Sequence, residues 1–326
     1  MSKHSDIEKI IKYIRKNPNI GRDKIAKMFK ISDRMAGNLK WSASNQYPTS
    51  NVFPEITDKD VAHFLKTQKG LSVDSVLELL SPEKSVINNF GDYKTHEFTV
   101  GLIADTHNND KACALDELHD FYKQCKKAGV KHVLHSGDIT AGVGVYRGQE
   151  FDLTHHGFND QLNNLIETYP KIDGITTHVI SGNHDESFTT KAGANFVESL
   201  SLKRDDVNFL GVYAAQIVIN GVTFGLQHGE SGNCVQVSYK AQKYIDRMGA
   251  GTKPQVWSLG HYHTALSMLY RNIHVYMPGC FQKPNNFSMR KGLPNMIGGY
   301  IVHLKVADDE HRSIKSIKSE LIAYYD

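Results

Sequence analysis

Cysteine is scarce: Cys113, Cys125, Cys234 and Cys280 are the only four in 326 residues, and no two of them form a C-x-x-C pair. That argues against a disulfide framework or a thiolate zinc site and fits reduced thiols in a cytoplasm. Long apolar runs are absent too; none approaches the roughly 20 residues of a membrane span, so no membrane partner is expected. Met1 is followed by Ser-Lys-His-Ser-Asp rather than by an apolar stretch, so no secretory signal is read and a cytoplasmic chain is expected. Internal repeats and low-complexity tracts are also missing. The formal charge of +3 is too small to imply a nucleic-acid partner by itself.

The distribution of that charge says more. From Lys3 to Lys40 eleven cations face only Asp6, Glu8, Asp23 and Asp33, which leaves the rest of the chain mildly acidic. Within this basic stretch Ile7, Ile10, Ile11 and Ile14 share one face of a helix over 6–15, and Asn17-Pro18-Asn19 ends it. A second helix fits 22–29 with Ile25, Ala26 and Phe29 inward. Ser32 suits the N-cap of a third, over 33–39, with Met35 and Leu39 buried. Three short helices with many cations resemble a helix-turn-helix or winged-helix module, which makes DNA a candidate partner. The expected organisation is a small all-α domain over 1–45, then a linker and helical segment over 46–95. The linker covers 42–55, helices cover 58–67 and 73–80, and a loop runs through 88–92. A large domain covers 96–326. With 40% apolar and 22% charged residues, both domains can bury a core.

From Glu97 the texture changes to short, apolar, β-rich runs that each stop at polar residues. The run 98–104 ends at Asp105-Thr106-His107, 131–135 at Gly137-Asp138, and 177–180 at Gly182-Asn183-His184. A hairpin is expected around Asn220-Gly221, its strands at 216–219 and 222–227, the second leading to His228. The run 256–259 leads to Gly260-His261-Tyr262-His263. Helical patterns lie between, at 114–127 and 160–168. Five strands ending in metal-binding residue types is how an α/β scaffold converges loops on one site. Singly, each cluster is a weak signal, because a buried histidine is usually a hydrogen-bonded core residue. The ordered set is what points to chemistry.

Two divalent cations held about 3.5–4 Å apart repel each other, so an anionic ligand must sit between them. Asp138 can bridge both. Imidazoles and one amide oxygen complete borderline ions such as Mn, Fe or Zn without overloading the site with charge. The i, i+2 spacing of Asp105 and His107, and of His261 and His263, suits residues leaving a strand, where alternate side chains share a face.

The pattern D-x-H, G-D, G-N-H-D, H and G-H-x-H resembles the calcineurin-like metallophosphoesterases from about Val100 to a final strand near Leu304. The resemblance implies an α/β fold, a four-layer α/β/β/α sandwich, and two divalent metal ions, Mn2+ first and Fe or Zn as alternatives. It implies that Asp105, His107 and His263 bind one metal and Asn183, His228 and His261 the other, bridged by Asp138. His184 is expected beside the substrate as a catalytic residue. Asp185 is expected either to orient His184 or to point outward in a structural role. The implied reaction is in-line attack on phosphorus by metal-activated water.

Outside the motifs, Tyr146, Arg147 and His156 in the loop after Asp138 are candidates for substrate binding, as is Lys240 after His228; Asn233, Tyr239 and Lys243 share the latter segment. Surface or substrate contact is the expectation for His155 and His156, ahead of a third metal. Pro278-Gly279-Cys280-Phe281 resembles a small-residue turn beside the site, with Phe281, Arg290 and Lys291 as rim residues. The leading functional expectation is a phosphodiesterase or nuclease acting on nucleic acid. The alternatives are a phosphomonoesterase, acting on a protein or nucleotide, whose helical module is a docking domain, and a DNA-binding regulator whose phosphoesterase domain senses a ligand.

Overall fold

The computed structural model describes residues 10, 12–14, 16–17, 20–29, 36, 89–92, 94–230, 236–249, 251–293 and 295–325. It divides into two compact units, Met1–Lys84 and Ser85–Asp326. In the first unit, helix α1 (Arg22–Phe29) buries Ile25 and Ala26. These pack with Ile10, Ile14 and Ala36, and with half-buried Ile20 and Phe29, in a small core of their own. The expected third helix at 33–39, apart from Ala36, lies outside the described residues, as do the linker at 42–55 and the helices at 58–67 and 73–80.

The second unit is built on two six-stranded sheets. One sheet has the order β12-β11-β2-β3-β4-β5 and the other β1-β6-β7-β8-β10-β9. The first sheet is made of β2 (Glu97–Ile103), β3 (His132–His135), β4 (Thr176–Ser181), β5 (Val207–Val212), β11 (Ile297–Val306) and β12 (Ile314–Tyr324). The second is made of β1 (Asn89–Phe90), β6 (Ala214–Ile219), β7 (Val222–His228), β8 (Val256–Gly260), β9 (Ala265–Tyr270) and β10 (Ile273–Pro278). The pair 89–90, expected in a loop, runs parallel to β6 through Asn89↔Val218 and Phe90↔Ile219. Residues 89–90 are therefore part of the sandwich.

Successive side chains on a strand point to opposite faces, and here each face has its own core. Val100, Leu102, Leu134 and Ile180 of the first sheet meet Ile217, Phe224, Leu226 and Val256 of the second between the layers. Ile103, Val133 and Val179 point the other way. They are covered by Leu118, Phe121, Tyr122 and Cys125 of α2 (Leu115–Lys127), by α3 (Phe158–Thr168), α4 (Asn183–Ala192) and α5 (Phe196–Ser201). Across the second sheet, Trp257, Leu259, Val275 and Met277 pack on Ala241 and Ile245 of α6 (Val237–Asp246). The result is α/β/β/α layering, in which each fully buried large apolar side chain stabilises by about 1.5–3 kcal/mol. Strands covered on both faces show continuous apolar runs rather than alternation, which is why the texture changed at Glu97.

Strands β2, β3, β4 and β5 are parallel to one another, and β7, β8 and β10 are likewise parallel. Parallel strands deliver their carboxyl ends to one edge, and that edge carries the site. The hairpin β6–β7 turns through Asn220 (φ 49°) and Gly221 (φ 83°), the two left-handed residues that an Asn-Gly turn supplies. The strand near Leu304 is not the last. An eleven-residue β12 follows it, antiparallel to β11.

Candidate metal centre

Five of the seven expected ligands have left-handed backbone: Asp105 (φ 53°), His107 (φ 44°), Asp138 (φ 57°), His261 (φ 87°) and His263 (φ 50°). For a residue with a Cβ this conformation costs roughly 1–2 kcal/mol each. It also corrects the strand argument for the i, i+2 spacing. Strand β2 ends at Ile103 and β8 at Gly260, so both pairs sit in coiled loops beyond the strands. Tertiary hydrogen bonds hold these loops: Asp105 N–H donates to Gly137 O at 2.9 Å and His107 N–H to Asp138 O at 3.1 Å. His261 N–H donates to Asp105 Oδ2 at 2.8 Å.

Two glycines let the loops close. Gly137 has φ +93°, and a Cβ there would stand 2.6 Å from His228 Nδ1. Gly182 is extended, but its Cβ would fall 2.2 Å from Asp138 Oδ1; close approach, not turn geometry, requires the glycine there.

The donor atoms converge in adjoining groups. Asp105, His107 and His263 form one, with His107 Nε2 3.1 Å from His263 Nε2 and His263 Nε2 3.6 Å from Asp105 Oδ1. Asp138, His228 and His261 form a second. His228 Nε2 lies 3.3 Å from Asp138 Oδ2, and Asn183 Oδ1 stands 3.1 Å from His228 Nε2 and 3.0 Å from His261 Nδ1. Asp138 Oδ2 is also 4.0 Å from His107 Nε2, between the two groups. A third metal-capable group, His107, Asp138 and His184, overlaps both.

Burial sets the charges. It pushes His261 down to about 4 and His263 down to about 3, and holds His107 well below the usual imidazole range. Burial likewise lifts the Asp105 carboxyl well above its ordinary value. Burial opposes ionisation of Asp138, but the His228 and His184 rings outweigh it and hold that carboxyl well below the usual range. Against its own burial, His228 is raised to about 9 by Asp138. Neutral imidazoles with free lone pairs are the form a cation binds. His107 Nδ1 is buried without a hydrogen-bond partner, and its Nε2 faces the nitrogen of another ring. The donor set thus fits divalent cations better than it satisfies itself.

His184 stands at the start of α4. Its N–H donates to Asp138 Oδ1 at 2.8 Å, and its Nδ1–H donates to Ala141 O at 2.6 Å. Its Nε2 is left toward the cavity, 3.9 Å from Asp138 Oδ2. Asp185 matches neither expected role. It is buried, not outward, and its carboxylate accepts N–H bonds from Gly182 at 2.8 Å, Asp138 at 2.9 Å and Thr140 at 3.1 Å. It ties the Asp138 loop to α4 and has no bond to the His184 ring.

A cavity of about 460 Å3 opens over these groups, lined among others by His184, Asn183, Tyr262, Tyr146, Phe287 and Lys291. Tyr146 and Phe287 stack at 4.6 Å and 25°, and the Tyr146 hydroxyl donates to Asp152 Oδ2 at 2.8 Å. Arg147 and Arg290 line an adjoining cleft. Lys240 lines neither; it lies 5.8 Å from the Tyr262 ring centroid. His156 is exposed outside both. Asn233 lies outside the described residues. Phe281 is not a rim residue: it is fully buried, edge-on to Phe121 at 5.7 Å. Its N–H donates to Asp105 O at 3.0 Å, so the Gly279-Cys280 turn does brace the site. Sequence reasoning missed Tyr262, although it sits inside the G-H-x-H motif, and Phe287, which has no motif to mark it.

Residues 98–292 match the family model of the calcineurin-like phosphoesterase superfamily domain. The chain belongs to that superfamily. It is also similar to proteins named DNA polymerase II small subunit. The Halobacterium salinarum protein is 25% identical over 57% of this chain and 44% of that protein. The Methanothermobacter thermautotrophicus protein is 23% identical over 60% and 49%. The chain spans about half the length of these relatives. Among solved structures, an archaeal phosphodiesterase aligns with 69% of this chain and 100% of its own, at 15% identity and TM-score 0.40. Vps29 (D62A) of Entamoeba histolytica aligns with 70% and 100%, at 14% identity and TM-score 0.34. No helix among the described residues is long and apolar enough to cross a membrane.

Proposed function

We propose that the chain is a dinuclear phosphodiesterase acting on nucleic acid, with Mn2+ the favoured metal. The observation that carries the reading is the position of Asp138, whose Oδ2 lies 3.3 Å from His228 Nε2 and 4.0 Å from His107 Nε2, an anion between two sets of buried donors. Asp105, His107 and His263 would hold one cation, Asn183, His228 and His261 the other, with Asp138 shared. Bound there, the pair would acidify a water and neutralise phosphoryl charge. The chain's own part is positional. The Ala141 carbonyl accepts from His184 Nδ1–H and fixes the ring's orientation, so Nε2 faces the cavity; with a proton there too, it would be in reach of a leaving oxygen, either to protonate it or to stabilise charge on it. The stacked Tyr146–Phe287 wall limits how a substrate enters.

The names of the DNA polymerase II small subunits support a nucleic-acid substrate, and the basic 3–40 stretch, read as a helix-turn-helix module, is consistent with contact to DNA. The test is hydrolysis of bis-p-nitrophenyl phosphate, p-nitrophenyl phosphate, and single-stranded and duplex DNA with Mn2+. Cleavage of the diester and of DNA is expected. Cleavage of the monoester alone would move the chain to the phosphomonoesterases.

A further inference from the structure

Beside the metal centre lies a second cleft of about 480 Å3, lined by Tyr146, Arg147, Gly148, Phe287, Arg290 and Lys291. It shares Tyr146, Phe287 and Lys291 with the first cavity, so the stacked rings form a wall common to both. Three cations and no carboxylate line the cleft. Among the described residues, none of the three has an ion-pair or hydrogen-bond partner for its side chain. Some cations elsewhere on this chain are paired, as Lys283 is with Glu117 at 2.7 Å and Lys171 with Asp205 at 2.7 Å. Arg147 lies in the loop after Asp138, and Arg290 and Lys291 close the last turn of α7 (Asn286–Lys291). Two distant segments thus bring unpaired positive charge to one place.

We infer that this cleft is a subsite for a flanking phosphate of a single-stranded polynucleotide, with a base stacked on the Tyr146–Phe287 wall. The inference rests on the hydrolytic reading above and names its substrate class. A substrate with one phosphate occupies the first cavity and leaves Arg147 and Arg290 idle; a strand places its next phosphate between them. Cationic grooves with aromatic platforms suit single strands, whose bases present free faces, whereas a duplex keeps its bases stacked on each other. Phe287 is 37% exposed and offers such a face. Arginine forks match phosphate oxygens in pairs.

The experiment compares the parent chain with the Arg147→Gln, Arg290→Gln double variant on bis-p-nitrophenyl phosphate and on a single-stranded DNA tetramer, with Mn2+, across a salt series. Both positions are exposed, so folding should survive. The tetramer-to-diester ratio of kcat/KM is expected to fall at least tenfold. The slope of log(kcat/KM) against log salt for the tetramer should become shallower by about 0.7 per cation removed. Arg147→Lys with Arg290→Lys should restore most of the slope. An unchanged ratio and slope overturns the subsite. If the parent cleaves neither substrate, the hydrolytic reading fails separately, and tetramer binding by the same two proteins decides the cleft: weaker binding with a shallower salt slope in the variant supports it, and equal affinities overturn it.

Discussion

Strand β3 begins and ends beside histidine clusters, and they behave differently. Near its start, His132 Nδ1 and His178 Nε2 are 3.0 Å apart, Asn208 Nδ2 donates to His178 Nδ1 at 3.1 Å, and Phe90 packs 4.5 Å from the His178 ring. This cluster is self-satisfied: amide, ring and ring form a chain of neutral partners with no acid in ion-pair range among the described residues. Beyond its end, five histidines crowd two carboxylates and an amide, with a ring nitrogen unpaired and left-handed backbone at five positions. Burial is common to both. What separates a metal centre from a core histidine pair is the convergence of anions and the backbone strain that the surrounding bonds sustain.

Four substitutions probe that contrast. Asp138→Ala removes the anion common to both donor sets, and steady-state assays should find phosphoester hydrolysis reduced by at least 10^3-fold. In the same assay His184→Ala should lose about 10^2–10^4-fold in kcat yet retain metal by elemental analysis; loss of all metal would make it a ligand. Asp185→Asn takes one acceptor from the N–H donors of Gly182, Asp138 and Thr140. Denaturant unfolding should show about 1–3 kcal/mol of lost stability, and an unchanged midpoint would contradict its bracing role.

The other cluster acts on stability only at acid pH and not on hydrolysis. Burial, then His132, pushes His178 down to about 3, below the roughly 6.5 of an unfolded chain. The unfolded state therefore binds the extra proton first. The stability is intact above about pH 6.5 and is lost as pH falls toward 3, at about 1.4 kcal/mol per pH unit. His178→Asn should flatten that acid limb without altering metal content; an unchanged slope would show the ring is not buried neutral.

The sequence was most readable where residue type and turn chemistry coincide. Asp105, Asp138, Asn183, His228 and His261 follow short apolar runs, the last four beside a glycine, and Asn220-Gly221 makes the hairpin its composition specifies. Reading failed where the partners are distant. Tyr146 and Phe287 meet across 141 positions with no periodicity to link them, and Asp185 looked like a partner of His184 because they are neighbours in sequence. Its real partners are backbone N–H groups, which no side-chain pattern reveals. Phe281, expected at the rim, is instead held in the core against Phe121, and Phe90, expected in a loop, pairs with β6.

The proposed function requires one carboxylate, Asp138, to organise two cation sites. Stripping the folded protein of metal, restoring Mn2+ and counting bound ions per chain tests it most directly. Two ions per parent chain are predicted, with a marked loss in Asp138→Ala. A folded parent that takes up none, or a variant that binds as many as the parent, would contradict it.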